Sequence, residues 1–276
     1  MGKALPVACA TMPIMTPWLT DYAALVRDHL PARTAAKLTA LARPTIRLTH
    51  AAEGDPVVGR LGGTPLLPPD VHVPAGLALA AELDCAALAR YEVDLDLPET
   101  GTLVFLAGVE DTEGFVVYVP PGAAVAARSL PDAYPELPLT ARTVATWPES
   151  CQPHLVEAFG GVKETYAAVW HRDDFRDALD DFERARFRRT MHSVGGYSVA
   201  FQRSVEEVGA ALTVPGGWRD PGFLAEAKEW VTLLQLSEDE EARMIWGDGA
   251  YLIYGIRRDH LAARDFSRVL YYDQGH

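Results

Sequence analysis

Hydrophobic and polar residues follow two rhythms along this chain, and the switch between them marks out its elements. Leu25, Leu30, Leu38 and Leu41 form an apolar stripe at helical spacing. Thr16-Pro17 reads as an N-cap with an N1 proline, and Pro31 interrupts the pattern, so two helices are predicted, to about His29 and over 32–42. The rhythm then changes to period two at 45–50 (TIRLTH), a half-buried strand. Apolar runs of strand length follow at 77–83, 102–108, 115–119, 230–236 and 250–256, and residues 139–146 alternate. PETG (98–101), residues 110–114 and WGDG (246–249) supply the turn chemistry that pairs such runs. Helical periodicity returns at 149–159, which Gly160-Gly161 stops, and at 166–191, where Trp170, Phe175, Leu179, Phe182 and Phe187 face a core. A short turn of helix is predicted at 85–90, another helix at 223–229, and a third from an N-cap at Asp259 through Asp265. The last strand is 267–272. Residues 61–70, 194–202 and 214–220 read as loops.

Blocks recur in the same order in the two halves. LGGTP (61–65) is matched by VGGYS (194–198), LALAAELD by WVTLLQLS, and GTLVFLAGVED (101–111) by GAYLIYGIRRD (249–259). The expected fold is therefore α+β: two related β-rich halves from an internal duplication, mostly antiparallel, with peripheral helices. The expected segments are 1–50 (helices and first strand), 51–148 (first half), 149–193 (helical connector) and 194–276 (second half), packed as one unit. Strands 102–107 and 250–255 should superpose under a rotation near a half-turn, with 77–83 and 230–236 close to the axis.

Composition narrows the function classes. The 276 residues carry 25 basic against 38 acidic side chains, a net charge of −13, which argues against a phosphate-tracking nucleic-acid surface. The one basic run, RARFRR (184–189), lies beside Asp180, Asp181 and Glu183 at helical spacing and reads as a solvated face. Cys9, Cys85 and Cys151 are far apart and form no metal-binding spacing, so a reducing, cytoplasmic setting is expected. No apolar run approaches a membrane span, and Pro6, Pro13 and Pro17 break up the N-terminal stretch as a signal sequence.

The blocks LGGTPLLPPD, PETGTLVFLAG, HSVGGYSVAFQ, WVTLLQL and MIWGDGAYLIYGIRRDHLAARDF, spanning about 55–273, resemble the YwqG-like family, a bacterial family filed as a domain of unknown function. The resemblance implies two related β-rich halves and no established reaction; a suggested association of some relatives with toxin systems favours a protein-binding role. Ser198 and Glu82 stand where relatives often carry proline and glutamine, which implies an altered first-half copy of any shared site.

Candidate chemistry is sparse. There is no phosphate-loop motif, no nucleophile elbow and no calcium-loop spacing at Glu238–Glu241 or at Asp94 and Asp96. His154, His171 and His192 lack metalloprotease spacing, so neither metal nor cofactor is expected. Paired glycines at 62–63 and 195–196 suit close backbone approach better than anion binding. Asp248, between glycines, is either a turn builder or a ligand acceptor and base; the turn is the cheaper explanation. Gln202 and Gln235 are expected in one cleft, satisfied either by main chain of the other half or by a ligand. With Tyr197 and Trp246 they make the candidate site of a non-catalytic protein- or peptide-binding module, in a groove between the halves. The alternative is a hydrolase or transferase using groove carboxylates, with Asp248 as base.

Overall fold

The computed structural model describes residues 16–108, 113–130, 133–149, 152–186, 191–247 and 249–275. The chain forms a β-rich α+β fold around one ten-stranded antiparallel sheet. Its first five strands in sequence are β1 (Arg43–His50), β2 (Gly59–Leu61), β3 (Leu66–Leu67), β4 (Leu77–Asp84) and β5 (Thr102–Gly108). They are followed by β6 (Gly114–Val119), β7 (Ala126–Ala127), β8 (Leu137–Thr146) and β9 (His192–Val194), then β10 (Trp230–Ser237), β11 (Tyr251–Arg257) and β12 (Leu270–Gln274). The spatial order is β12-β11-β10-β9-β1-β8-β2-β4-β5-β6, while β3 and β7 form a separate two-stranded ribbon.

The order reads alike from either end. Going outward from the central pair, β1 is followed by β9, β10, β11 and β12, and β8 by β2, β4, β5 and β6. In sequence, however, β1 precedes β2 and β8 precedes β9, so each half's first strand lies beside the other half's second. The registers correspond as well: Arg60 faces Glu82 as Ser193 faces Gln235, and Leu61 faces Ala81 as Val194 faces Leu234. β4 and β10 each carry a bulge, at Ala80 and Leu233, the same place in LALAAELD and WVTLLQLS. Gly62, Gly63, Gly195 and Gly196 all have φ between 57° and 81°, the left-handed region that glycine enters most easily. The register places Thr102 opposite Asp84 and Tyr251 opposite Ser237, one residue displaced from the match made on sequence. The centre of the arrangement is the β1–β8 pair, where Thr49 faces Thr140; β4 and β10 lie off to its two sides.

Curvature brings the sheet edges β6 and β12 together in a near-barrel. Tyr271 of β12 packs so closely on Gly114 of β6 that a Cβ there would overlap its ring. Inside, Phe105 and Tyr254 meet edge to face with centroids 5.1 Å apart, and Tyr254 Oη donates to the Leu106 carbonyl at 3.1 Å. Ile46, Leu48, Leu61, Leu83, Leu103, Val194, Leu234, Leu236 and Leu252 fill the same interior. Alternation explains the strand faces: Thr45, Arg47, Ser193 and Gln235 flank these positions and point to the outer side.

Three coverings seal that outer side. A helical layer of α1 (Pro17–His29), α2 (Ala32–Leu41), α4 (Pro153–Phe159) and α6 (Asp173–Arg186) packs Tyr22, Val26, Leu38, Leu155, Phe175 and Leu179 against Ala145 and Trp147 at the end of β8. The β3–β7 ribbon and its loops cover β4–β6 through Leu67, Leu77, Leu79 and Leu106. On β10 and β11 lie α7 (Val205–Thr213) and α8 (Phe223–Ala227), with Gly209 against the Trp230 ring. Short helices α3 (Cys85–Leu88), α5 (Val162–Thr165) and α9 (Arg258–Ala262) complete the fold.

Four expectations differ in detail. The last strand runs Leu270–Gln274 and not 267–272, because a 3-10 turn occupies Phe266–Arg268. The predicted helix 166–191 is broken: a π-helical turn at Tyr166–Trp170 precedes α6. Asp259 is not an N-cap; Arg257 holds that position and Asp259 lies in the first turn, hydrogen-bonded to the Arg257 guanidinium. Helix α7 had no counterpart in the predicted elements, although its capping box, Ser204 with Glu207, is a sequence-level start signal. No helix among the described residues is long and apolar enough to cross a membrane.

Candidate functional site

A pocket of about 500 Å³, including its open mouth, lies on the outer side of β1, β8 and β9, beneath α6 and beside the second Gly-Gly loop. The strands contribute Thr45, Arg47 and Ser193 to its floor, β10 adds Gln235, and Tyr197, Ser198 and Val199 come from the loop. Trp147 and Met191 are apolar parts of the wall. Glu149, just past β8, and Glu183, on α6, bring the carboxylates.

Most of the floor's hydrogen-bonding groups are committed to backbone. Thr45 Oγ1 donates toward the carbonyls of Val194 and Gly195, and Tyr197 Oη to Leu41 O at 3.0 Å. Gln235 Oε1 accepts from Val199 N at 2.7 Å while its Nε2 donates to Met191 O at 2.9 Å. Both ends of this amide therefore tie the flanks of β9 down, so its partners are main chain of its own half and not, as expected, of the other. Ser198 Oγ is the exception: it is buried and has no hydrogen-bond partner among the described residues.

The charges are unusual for so enclosed a place. Burial raises the Glu183 carboxyl to about 7, helped by the nearby Glu149 and Asp180. Burial also raises Glu149, against the hydrogen bond it accepts from Ala200 N–H. Neither carboxylate has an ion-pair partner among the described residues. Arg47 is 4% exposed, and its guanidinium is lowered to about 10 by burial first and by Arg142, its partner across β1–β8, second.

The other expected site residues lie elsewhere. Gln202 sits in an exposed bend, where its Nε2 donates to Gly275 O at 2.6 Å. Trp246 packs on the barrel interior, and its indole donates to Tyr134 Oη at 3.1 Å. Asp248 falls outside the described residues. The fold thus brings Gln235 and Tyr197 together and leaves Gln202 and Trp246 apart from them. Sequence reasoning passed over Glu149, Glu183, Arg47 and Ser193, because only the sheet order joins residues so distant in the chain.

A second polar cluster lies where β1 and β9 meet the turn after β10. The carboxylate of Asp239 is within 2.6 Å of His50 Nε2 and 3.0 Å of His192 Nε2, and Glu241 faces His50 Nδ1 at 3.1 Å. Two histidines and an aspartate with donor atoms within 4.8 Å of one another could ligate a metal by residue type alone. The tautomer speaks against it. His192 Nδ1 accepts the Ser237 backbone N–H at 3.2 Å, so the neutral ring carries its proton on Nε2 and donates it to Asp239. A metal-ligating histidine instead donates from its second nitrogen. Burial opposes the Asp239 charge, but hydrogen bonds from His192, Ala242 N–H and His50 outweigh it and hold the carboxyl well below its ordinary value. Burial depresses His192 in spite of that aspartate. The acidic turn is thus structural: Glu238 accepts from Trp246 N and Gly247 N. The acids of the earlier pair differ too: Asp96 is exposed, whereas Asp94 accepts from Gly196 N at 2.7 Å.

No curated protein matches the chain. A family model described as a domain of unknown function, DUF1963, matches residues 59–274, from the start of β2 to the end of β12 and including most of the pocket, and the chain belongs to that family.

Proposed function

We propose that this chain is a non-catalytic binding module, YwqG-like in kind, that receives part of a protein or peptide partner in the pocket beneath α6. The observation that carries this reading is the commitment of the pocket's groups. Thr45, Tyr197 and Gln235 are spent on holding backbone, so the pocket offers a fixed shape, two carboxylates, the Arg47 guanidinium and, at Ser198, a buried hydroxyl without a hydrogen bond among the described residues. We also propose that the corresponding strand orders, registers and bulges descend from a duplicated unit whose copies exchanged their first strands.

The test is capture of a stoichiometric partner by the native chain and by two plugged variants, Ser193→Met at the floor and Val199→Trp at the half-exposed rim. Loss of the partner with both plugs, at unchanged melting temperature, and retention with Trp246→Ala are expected. A partner retained by both plugged variants overturns the assignment of the site.

One observation favours the second reading, a hydrolase or transferase: a carboxyl raised to about 7 beside another carboxyl suits general acid chemistry. On that reading Glu149 and Glu183 take the roles first considered for Asp248. Substrate turnover abolished by Glu183→Gln would favour it over binding alone.

A further inference from the structure

We propose that the pocket receives a single organic cation, the guanidinium or ammonium group of a basic side chain on the partner. This rests on the pocket being the binding site. The first half contains an occupied counterpart. There the Arg60 guanidinium donates to Gly62 O at 3.2 Å, Thr64 O at 2.8 Å, Glu82 at 3.0 Å and Glu136 at 2.7 Å. The register carries Arg60 onto Ser193, Gly62 onto Gly195, Thr64 onto Tyr197, Glu82 onto Gln235 and Glu136 onto Thr45. Ser193, Tyr197, Gln235 and Thr45 all line the pocket. It therefore opens over the position from which, in the other half, an arginine side chain extends.

The second half has lost both carboxylates of that counterpart to Gln235 and Thr45, and it regains two from the helical side, Glu149 and Glu183. Both lack an ion-pair partner among the described residues, and the buried Ser198 Oγ, which lines the same pocket, lacks a hydrogen bond there. Two partly buried acids without a counter-ion are costly to ionise together, and a cation seated between them relieves both their desolvation and their mutual repulsion. Arg47, opposite Ser193 on β1, excludes the cation from the floor and confines it to the carboxylate side. A net charge of −13 favours the approach of a basic partner to the chain as a whole.

The experiment is NMR titration of the full chain with N-acetyl amides of arginine, lysine, glutamine and glutamate. The two cations are expected to shift pocket resonances at least tenfold more tightly than glutamine. Glu149→Gln and Glu183→Gln should each weaken them at least fivefold, and Glu240→Gln, at an exposed turn, should not. The better of arginine and lysine identifies the head group. Glutamine or glutamate binding in the pocket as tightly as the cations overturns the cation assignment and leaves the pocket reading standing, as does cation binding indifferent to both carboxamide variants. If no amide shifts a pocket resonance at 20 mM, both readings fall.

Discussion

In the first half, Arg60 reaches from β2 across the Gly-Gly loop and joins it to β4 and to the start of β8 through four acceptors. In the second half, Ser193 at the matching position of β9 stops short, Gln235 replaces Glu82, and the same backbone architecture is left with an opening. The difference separates scaffold from site. A sheet of corresponding strands tolerates a closed and an open version of one corner because the loop glycines and bulges hold the backbone in both. What changes is who supplies the hydrogen bonds: one arginine in the first half, Thr45 and Gln235 in the second.

The sharpest way to break the comparison is through the residues that correspond and also touch. Phe105 faces Ala81 as Tyr254 faces Leu234, and the two rings meet inside the barrel. Phe105→Ala and Tyr254→Ala should each lower stability by about 3–5 kcal/mol in urea denaturation. The double variant should show a coupling of about 1 kcal/mol. A small loss at either position would mean that β5 and β11 are not held together across the barrel interior there. At Arg60 the predicted effect is smaller. Arg60→Ala leaves Glu82 partly buried without its partner and should cost about 2 kcal/mol, whereas Ser193→Ala should stay within about 0.5 kcal/mol. Equal costs would remove the distinction between a filled and an open corner.

How much of this was legible in the sequence follows from the range of each interaction. The helices at Pro17 and Ala32 and the strands at 77–84 and 230–237 follow from local periodicity and caps, and they stand within a residue or two of where periodicity puts them. The recurring Gly-Gly loops were legible because a left-handed backbone at two consecutive residues leaves little choice of amino acid. The pocket was not legible. Its residues lie at 45 and 47, 144–147 and 149, 183, 191 and 193, 197–199 and 235, and only the placing of β1 between β8 and β9 gathers them. The trio His50, His192 and Asp239 escaped for the same reason: its members share no helix face and no local spacing. WGDG drew notice as a turn and ligand candidate, yet Trp246 belongs to the barrel interior.

The charge difference between the corners can be sharpened by pH. Glu183 keeps its proton in the folded chain up to about 7, while the unfolded chain releases it near the ordinary carboxyl value. Between those two values the native state binds more protons than the unfolded state, so this residue makes stability fall as pH rises through the window and become level above it. After discounting for the partial exposure of Glu183, the loss should be about 1–2 kcal/mol between pH 5 and 8. Glu183→Gln should flatten that part of the stability curve. A slope unchanged by Glu183→Gln would show that the pocket carboxylate titrates normally.

The smallest expected effect concerns zinc. His192 has Gly59 as its counterpart, where a side chain would run into the Glu82 carbonyl, so among the described residues the histidine–aspartate cluster has no equivalent at the Arg60 corner. Zinc on His192 Nε2 requires the lone pair at that atom, which moves the ring proton to Nδ1 and points it at the Ser237 N–H. The ion would also displace the hydrogen bonds that hold Asp239 ionised in its buried place. A neutral amide can imitate the present arrangement, donating at one end and accepting at the other. His192→Gln should therefore cost about 1 kcal/mol, less than the 2–3 kcal/mol of His192→Ala. Equimolar zinc should move the melting temperature by less than about 2 °C, because an ion bound no better by the native than by the unfolded chain adds no stability. A larger rise, abolished by His50→Ala, would mean that the Ser237 hydrogen bond gives way to coordination, and this cluster would then be a metal centre that the first half never had.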